Sequence, residues 1–266
     1  MTKIFTVDSF TDKPFAGNPA GVCLLDKNKD DGWLLNVAAE MNLSETAFVK
    51  KETGAFSLRW FTPKVEVELC GHATLASAHI LWQEGILKPG EEAVFNTVFS
   101  GKLTAKKEGD EITLNFPLIP VKDSHSTPEL ESALGDKPVY VGDCGVGEYN
   151  YLIEFESEDQ IINLKPDFSL LAKIPKFGFI VTAKAENKNY DFVSRYFAPA
   201  KGINEDPVTG SAHCSLAPYW SGKLNKNEMN AYQASHRGGY LKVRIENDRV
   251  LLIGKAVTVL ESNLIF

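Results

Sequence analysis

The chain has 266 residues, 44% of them hydrophobic and 24% charged, with a formal net charge of −7. That length fits one large domain or two of about 130 residues, each able to bury its own core. The acidic balance, without any block of Lys or Arg, excludes nucleic acid and anionic membrane as expected partners, and no stretch approaches the ~18 uninterrupted apolar residues of a membrane span. The N-terminal run has no apolar signal-peptide core, and Cys23, Cys70, Cys144 and Cys214 form no Cys-x-x-Cys pair. A reduced, cytoplasmic protein is expected.

Strand-like runs come first, over residues 3–7, 20–25 and 56–61, with Gly, Pro and Asn between them. Residues 32–41 have helical spacing, with Leu34, Leu35, Val37, Ala38 and Met41 on one face. Residues 74–82 form a helix so apolar all round that it is expected to be buried. Strands follow over 94–99, 101–106 and 111–116, and Phe116-Pro117-Leu118-Ile119-Pro120 reads as a crossing between halves. The second half restarts with strands over 137–141, 150–155, 177–182 and 190–197. A helix over 211–221 follows, which Pro218 is expected to kink or shorten. The tail alternates over 240–246 and 249–260, predicting a closing hairpin through Asn247-Asp248.

Two stretches repeat one another. Arg59-Trp60-Phe61-Thr62-Pro63 leads to Cys70-Gly71-His72-Ala73, and Arg195-Tyr196-Phe197-Ala198-Pro199 leads to Thr209-Gly210-Ser211-Ala212. Gly71 and Gly210 stand 139 residues apart, close to half the chain. A duplicated domain is expected, its two polar turns facing across a cleft. Small residues at each helix start leave backbone N–H groups available to an anion, so Gly71, Ala73, Gly210 and Ala212 are candidate substrate-binding positions. A plain helix cap is the competing reading of either turn alone.

Glu45 lies in Asn42-Leu43-Ser44-Glu45-Thr46-Ala47-Phe48, between apolar runs. It reads either as a loop carboxylate in a capping network with Ser44 and Thr46, or as a carboxylate in an apolar cleft acting as acid and base in turn. Asp206 precedes the second helix start, where it could cap the helix, orient His72 or bind a polar substrate group. His79 and His213 have weaker claims; His125 sits in a Ser/Thr loop and His236 precedes Arg237-Gly238-Gly239. No His-x-x-x-His or His/Cys ligand spacing is present, so no metal site is expected. Cys70, one position before a helix-opening Gly, could abstract a proton, but its counterpart is Thr209, so a two-thiol racemase is not available. The glycine-rich run 142–147 fits no nucleotide-binding spacing.

Val7-Asp8-Ser9-Phe10, Phe15-Ala16-Gly17-Asn18-Pro19-Ala20-Gly21-Val22, the Ser44-Glu45-Thr46 segment, Leu69-Cys70-Gly71-His72-Ala73-Thr74 and Glu205-Asp206-Pro207-Val208-Thr209-Gly210-Ser211-Ala212-His213 occur in order over nearly the whole chain. Together they resemble the PhzF-like (phenazine biosynthesis) family. The resemblance implies an α+β, diaminopimelate epimerase-like fold of two pseudo-symmetric halves, each a curled mixed sheet around a central apolar helix. The expected halves are 1–117, joined by a strand over about 255–266, and 118–254. It also implies a cofactor-independent isomerase of a small carboxylate-bearing substrate, with Glu45 shuttling a proton between carbons, His72, Asp206 and Ser211 in support, and a homodimer. Relatives among the epimerases carry cysteines at the positions of both Cys70 and Thr209. A Cys70/Thr209 epimerase or dehydratase of an amino or hydroxy acid therefore stays open, as does a non-catalytic binding protein that keeps the fold.

Overall fold

The computed structural model describes residues 2–145 and 149–265, and these fall into two compact units. The first runs up to Phe116 and takes in the chain again from Leu251; the second runs from Pro117 to Val250. Gly147 of the glycine-rich run lies outside the described residues, as do Met1 and Phe266.

The helices in chain order are α1 (Asp31–Met41), α2 (Gly71–Gln83), α3 (Pro128–Leu134), α4 (Glu158–Asn163), α5 (Phe168–Leu171) and α6 (Gly210–Leu224). None among the described residues is long and apolar enough to cross a membrane.

In the first unit, Thr2–Ser9 pairs antiparallel with Asn18–Leu25, which runs parallel to Glu45–Glu52. Glu45–Glu52 is antiparallel to Ala55–Phe61, which is parallel to Ala93–Thr97, and Lys102–Glu108 then pairs antiparallel. The second unit repeats that order of pairings. Tyr140–Cys144 is antiparallel to Asn150–Glu154, then Gly178–Lys184 is parallel, Phe192–Ala198 antiparallel, Glu228–Gln233 parallel and Gly239–Glu246 antiparallel. Each unit is a mixed sheet with one long apolar helix, and the sequence repeat is a repeat of topology.

Helix α2 is buried at every position from Gly71 to Ala78 and again at Ile80 and Leu81, as its uncharged sequence demands. Burial of Leu75, Ile80 and Leu81 there contributes ~1.5–3 kcal/mol each. It lies against Asn18–Leu25, Thr2–Ser9 and Glu45–Glu52.

The repeated arginines have one job. Arg59 makes a bidentate pair with Glu66 and covers the Phe61 ring at 5.0 Å. Arg195 forms the same fork with Glu205 and covers Phe197 at 4.9 Å. In each unit the fork ties a long strand to the short one after it, Glu66–Val67 or Ile203–Asp206, just before the long helix begins.

Three local expectations are corrected. Helix α6 is not shortened at Pro218 but continues to Leu224. Proline removes the N–H that would bond the Cys214 carbonyl, and the Ile119 N–H supplies that bond instead at 3.1 Å. The predicted tail hairpin is interrupted at Lys255, whose carbonyl accepts the N–H groups of Phe10 (2.8 Å) and Thr11 (3.3 Å). The strand Ala256–Leu264 beyond it pairs with Thr2–Ser9. Finally, Ser44 and Thr46 cap no helix: Asn42, at φ 50°, closes α1 in the left-handed conformation, and Glu45 opens a strand.

Candidate active site

The first unit brings three strand ends into one row. Thr2–Ser9 ends at Ser9, which is paired with Asn18, the first residue of the next strand. The parallel strand beside it opens at Glu45, in register with Ala20. The start of α2 is fixed to this row, because the Ser9 hydroxyl donates to the His72 carbonyl at 2.8 Å. Gly17 permits the approach. It sits at φ +63°, and a Cβ there would stand 2.1 Å from the Ser9 carbonyl oxygen. The preceding aromatic, Phe15, is also left-handed at φ 68° and is held by its N–H donating to the buried Asp8 carboxylate at 2.7 Å.

His72 occupies the centre of the row. Its Nε2 lies 3.2 Å from Glu45 Oε2, and its Nδ1 lies 3.1 Å from the Asn18 side-chain nitrogen. The imidazole is buried, and withdrawal of water from the charged form lowers its pKa to about 3. His72 is therefore neutral at physiological pH. The Glu45 side chain keeps 14% of its surface exposed, so a carboxylate anchored on a buried imidazole still reaches the outside.

Glu45, Cys70 and His72 offer a carboxylate oxygen, a thiol sulfur and imidazole nitrogens within 4.8 Å of one another, a proximity that linear spacing did not reveal. The donors do not converge, however. Cys70 Sγ stands 3.5 Å from His72 Nδ1 and 3.9 Å from Nε2, beside the ring rather than in line with either lone pair. A tetrahedral ion would need sulfur at ~2.3 Å while lying on a nitrogen lone pair at ~2.0 Å. The arrangement reads as a hydrogen-bonded acid–base group.

In the second unit, Asp206 accepts the Thr209 hydroxyl at 2.5 Å, and Gln233 braces both residues. The Gln233 carbonyl oxygen takes the Thr209 N–H at 2.8 Å. Ser211 is half-buried in the first turn of α6, at the repeat position of His72. Cys70 and Thr209 are the N-cap residues of α2 and α6, and neither folds its side chain back onto its helix. The opening turns thus lack the side-chain acceptor that normally caps such N–H groups, which suits them to an anion. Glu45 and His72 share the first unit; Asp206 and Ser211 belong to the second.

The other histidines have structural partners or lie outside. His79 bonds Thr258 at 3.1 Å, His213 bonds the Thr209 carbonyl at 2.8 Å, and His125 and His236 are exposed. Ser9, Asn18 and Gln233 carry the site yet had no assigned role in the sequence. Ser9 and Asn18 fall inside its recurring motifs, which was the one available signal.

The fold is that of the diaminopimelate epimerase-like isomerases. A predicted epimerase from Pseudomonas aeruginosa, 16% identical, shares the architecture over the full length of both chains with a TM-score of 0.77. An uncharacterized isomerase of Halalkalibacterium halodurans is 54% identical over 99% of this chain and 98% of its own. A phenazine biosynthesis protein of the PhzF family from Enterococcus faecalis is 39% identical, covers 99% of both chains and superposes with a TM-score of 0.92. Residues 7–262 match the model of the phenazine biosynthesis-like proteins, PhzC-PhzF, and the chain belongs to that family. It is an isomerase in class.

Proposed function

We propose that this protein is a cofactor-independent isomerase that moves a proton between carbons of a small carboxylate-bearing substrate, with Glu45 as the proton carrier. The observation that carries this reading is the Glu45–His72 contact at 3.2 Å, with the imidazole buried and neutral. Glu45 removes a proton from a carbon activated by a neighbouring carboxylate or enamine and returns it elsewhere on the same molecule. The backbone N–H groups at Gly71, His72 and Ala73 hold the substrate carboxylate and spread the charge that develops. Acid–base and electrostatic contributions of this kind supply a few kcal/mol each, roughly. In this reading Gly210 and Ala212 are further substrate-binding positions, and Asp206 and Ser211 act in support.

Glu45→Gln keeps the shape and removes the base. Mass spectrometry in deuterated water, run against a panel of cyclic carboxylic acids and amino acids, should show label entering a substrate with the wild-type protein and none with the variant. Binding should be nearly unchanged. Exchange that survives Glu45→Gln would sink the reading.

A second reading rests on Cys70 Sγ at 3.5 Å from His72 Nδ1, which places a thiol beside an imidazole. Under it, Cys70→Ser abolishes turnover, iodoacetamide inactivates, and Glu45→Gln is mild. The alkylation is interpretable because burial pushes the other thiols up, Cys23 and Cys214 to about 12 and Cys144 to about 11, and so suppresses their thiolates. The proton-carrier reading expects Cys70→Ser to retain activity within about tenfold, the scale of ~1.4 kcal/mol.

A further inference from the structure

The structure assigns to Asn18 the role of a positioning residue that fixes the tautomer of His72: its side-chain amide donates to Nδ1, so the ring carries its one proton on Nε2 and donates it to Glu45. The assignment rests on Glu45 being the proton carrier, and it names the residue that prepares it.

The donors and acceptors around the ring fix where its proton sits. His72 Nε2 faces Glu45 Oε2 at 3.2 Å, and the base of the proposed reaction rests as a carboxylate, which only accepts. Nε2 must therefore hold a hydrogen. A neutral imidazole has one N–H, so Nδ1 is bare and needs a donor. The group 3.1 Å from Nδ1 is the Asn18 amide nitrogen. Asn18 is fully buried and cannot trade this contact for water. Its place is set from both sides, by the register with Ser9 and by Gly17, whose left-handed backbone brings it there.

The consequence concerns the route of the proton. With Oε2 engaged by His72, the proton that Glu45 takes from substrate resides on Oε1. The imidazole turns no lone pair toward Glu45, so it cannot pass that proton onward. It stays on Glu45 and is available for return to the substrate.

The test is a ¹⁵N NMR spectrum of the full-length resting protein, with His72 signals assigned by their loss in His72→Gln. The wild type should show a protonated, pyrrole-type Nε2 and a bare, pyridine-type Nδ1. In Asn18→Asp the new carboxylate can only accept, so Nδ1 should gain a proton and turn pyrrole-type. In Asn18→Ala only Glu45 still favours a proton on Nε2, and the shifts should move part of the way toward the average of the two forms. Circular dichroism reports whether Asn18→Asp folds; if it does not, Asn18→Ala decides. A wild-type Nδ1 that carries the proton overturns the assignment, as does a wild-type pattern kept in the folded variant. The spectrum needs no turnover. Exchange surviving Glu45→Gln would remove the proton-carrier reading and leave the tautomer result standing, whereas an unchanged tautomer in the Asn18 variants would do the reverse.

Discussion

Gly17 shows how a residue without a side chain supports an acid–base group. A Cβ there would meet the Ser9 carbonyl oxygen at 2.1 Å and Thr11 Cγ2 at 2.8 Å. Relief would displace Ser9, which anchors the His72 carbonyl, and Asn18, which faces the His72 ring. Gly17→Ala should therefore cost ~2 kcal/mol or more in chemical denaturation, from the left-handed backbone and the overlap together. A variant as stable as wild type would show that the loop relaxes without moving the row. At this scale the sequence was half legible. Glu45 and His72 stood out because a carboxylate and an imidazole each interrupt apolar surroundings. Asn18 did not, because an Asn between Gly and Pro is ordinary turn chemistry until its neighbour across the sheet is known.

Between the long strands and the helices, the arginine forks differ in depth. Arg195 is 11% exposed and also donates to the carbonyls of Ile161 (3.0 Å) and Leu164 (2.8 Å). Arg59 is 26% exposed, and its further partner is Asp31, 77% exposed. Lysine cannot reproduce a fork, and at the buried copy it would also abandon two carbonyls. Arg195→Lys should lose ~2–3 kcal/mol and Arg59→Lys ~1 kcal/mol or less, measured by urea denaturation. Equal losses would mean that the carbonyl contacts contribute nothing. Pro218 gives a second check on elements. Its replacement by Ala should change stability by less than ~1 kcal/mol, rather than recover the ~3 kcal/mol of an ordinary helix interior, because Ile119 already serves the Cys214 carbonyl. The long elements were legible from periodicity. The short helices α3 and α4 were not, although Thr127 with Pro128, and Ser157 with Gln160, are local start signals. Fewer than two turns leave too little periodicity to register.

Across the whole molecule, three histidines withdrawn from water contribute to the response to acid. Burial lowers His72 to about 3 and His79 and His213 to about 4, whereas in the unfolded chain each titrates near 6.5. Below that pH the unfolded state takes up protons that the folded state refuses. Stability is thus complete above pH ~6.5 and falls as pH drops toward 4, by up to ~1.4 kcal/mol per pH unit for each histidine. Glu158 adds to the loss at still lower pH. Burial pushes its carboxyl up, but the Tyr190 hydroxyl and the N–H groups of Glu186 and Asn187 outweigh this and hold it below its ordinary value. Denaturation midpoints between pH 7 and 4 test this, and a His213→Gln variant should show a shallower slope. A flat profile would contradict it. At this scale the duplication was legible because both copies kept the Arg-aromatic-Phe-small-Pro run. The pairing of Ala256–Leu264 with Thr2–Ser9 has no local signature, since it joins residues from opposite ends of the sequence.

That pairing has a consequence for synthesis. The ribosome makes Thr2–Ser9 before the whole second unit and Ala256–Leu264 after it, so the first sheet waits for that strand while the second unit is synthesised. The second unit, contiguous from Pro117 to Val250, has all of its residues a few positions before that strand begins. Nascent chains arrested after Val250 has left the exit tunnel, but before Ala256–Leu264 has emerged, should resist protease in the later half and be cut in the earlier one. The half that carries Glu45 starts before the other and closes after it.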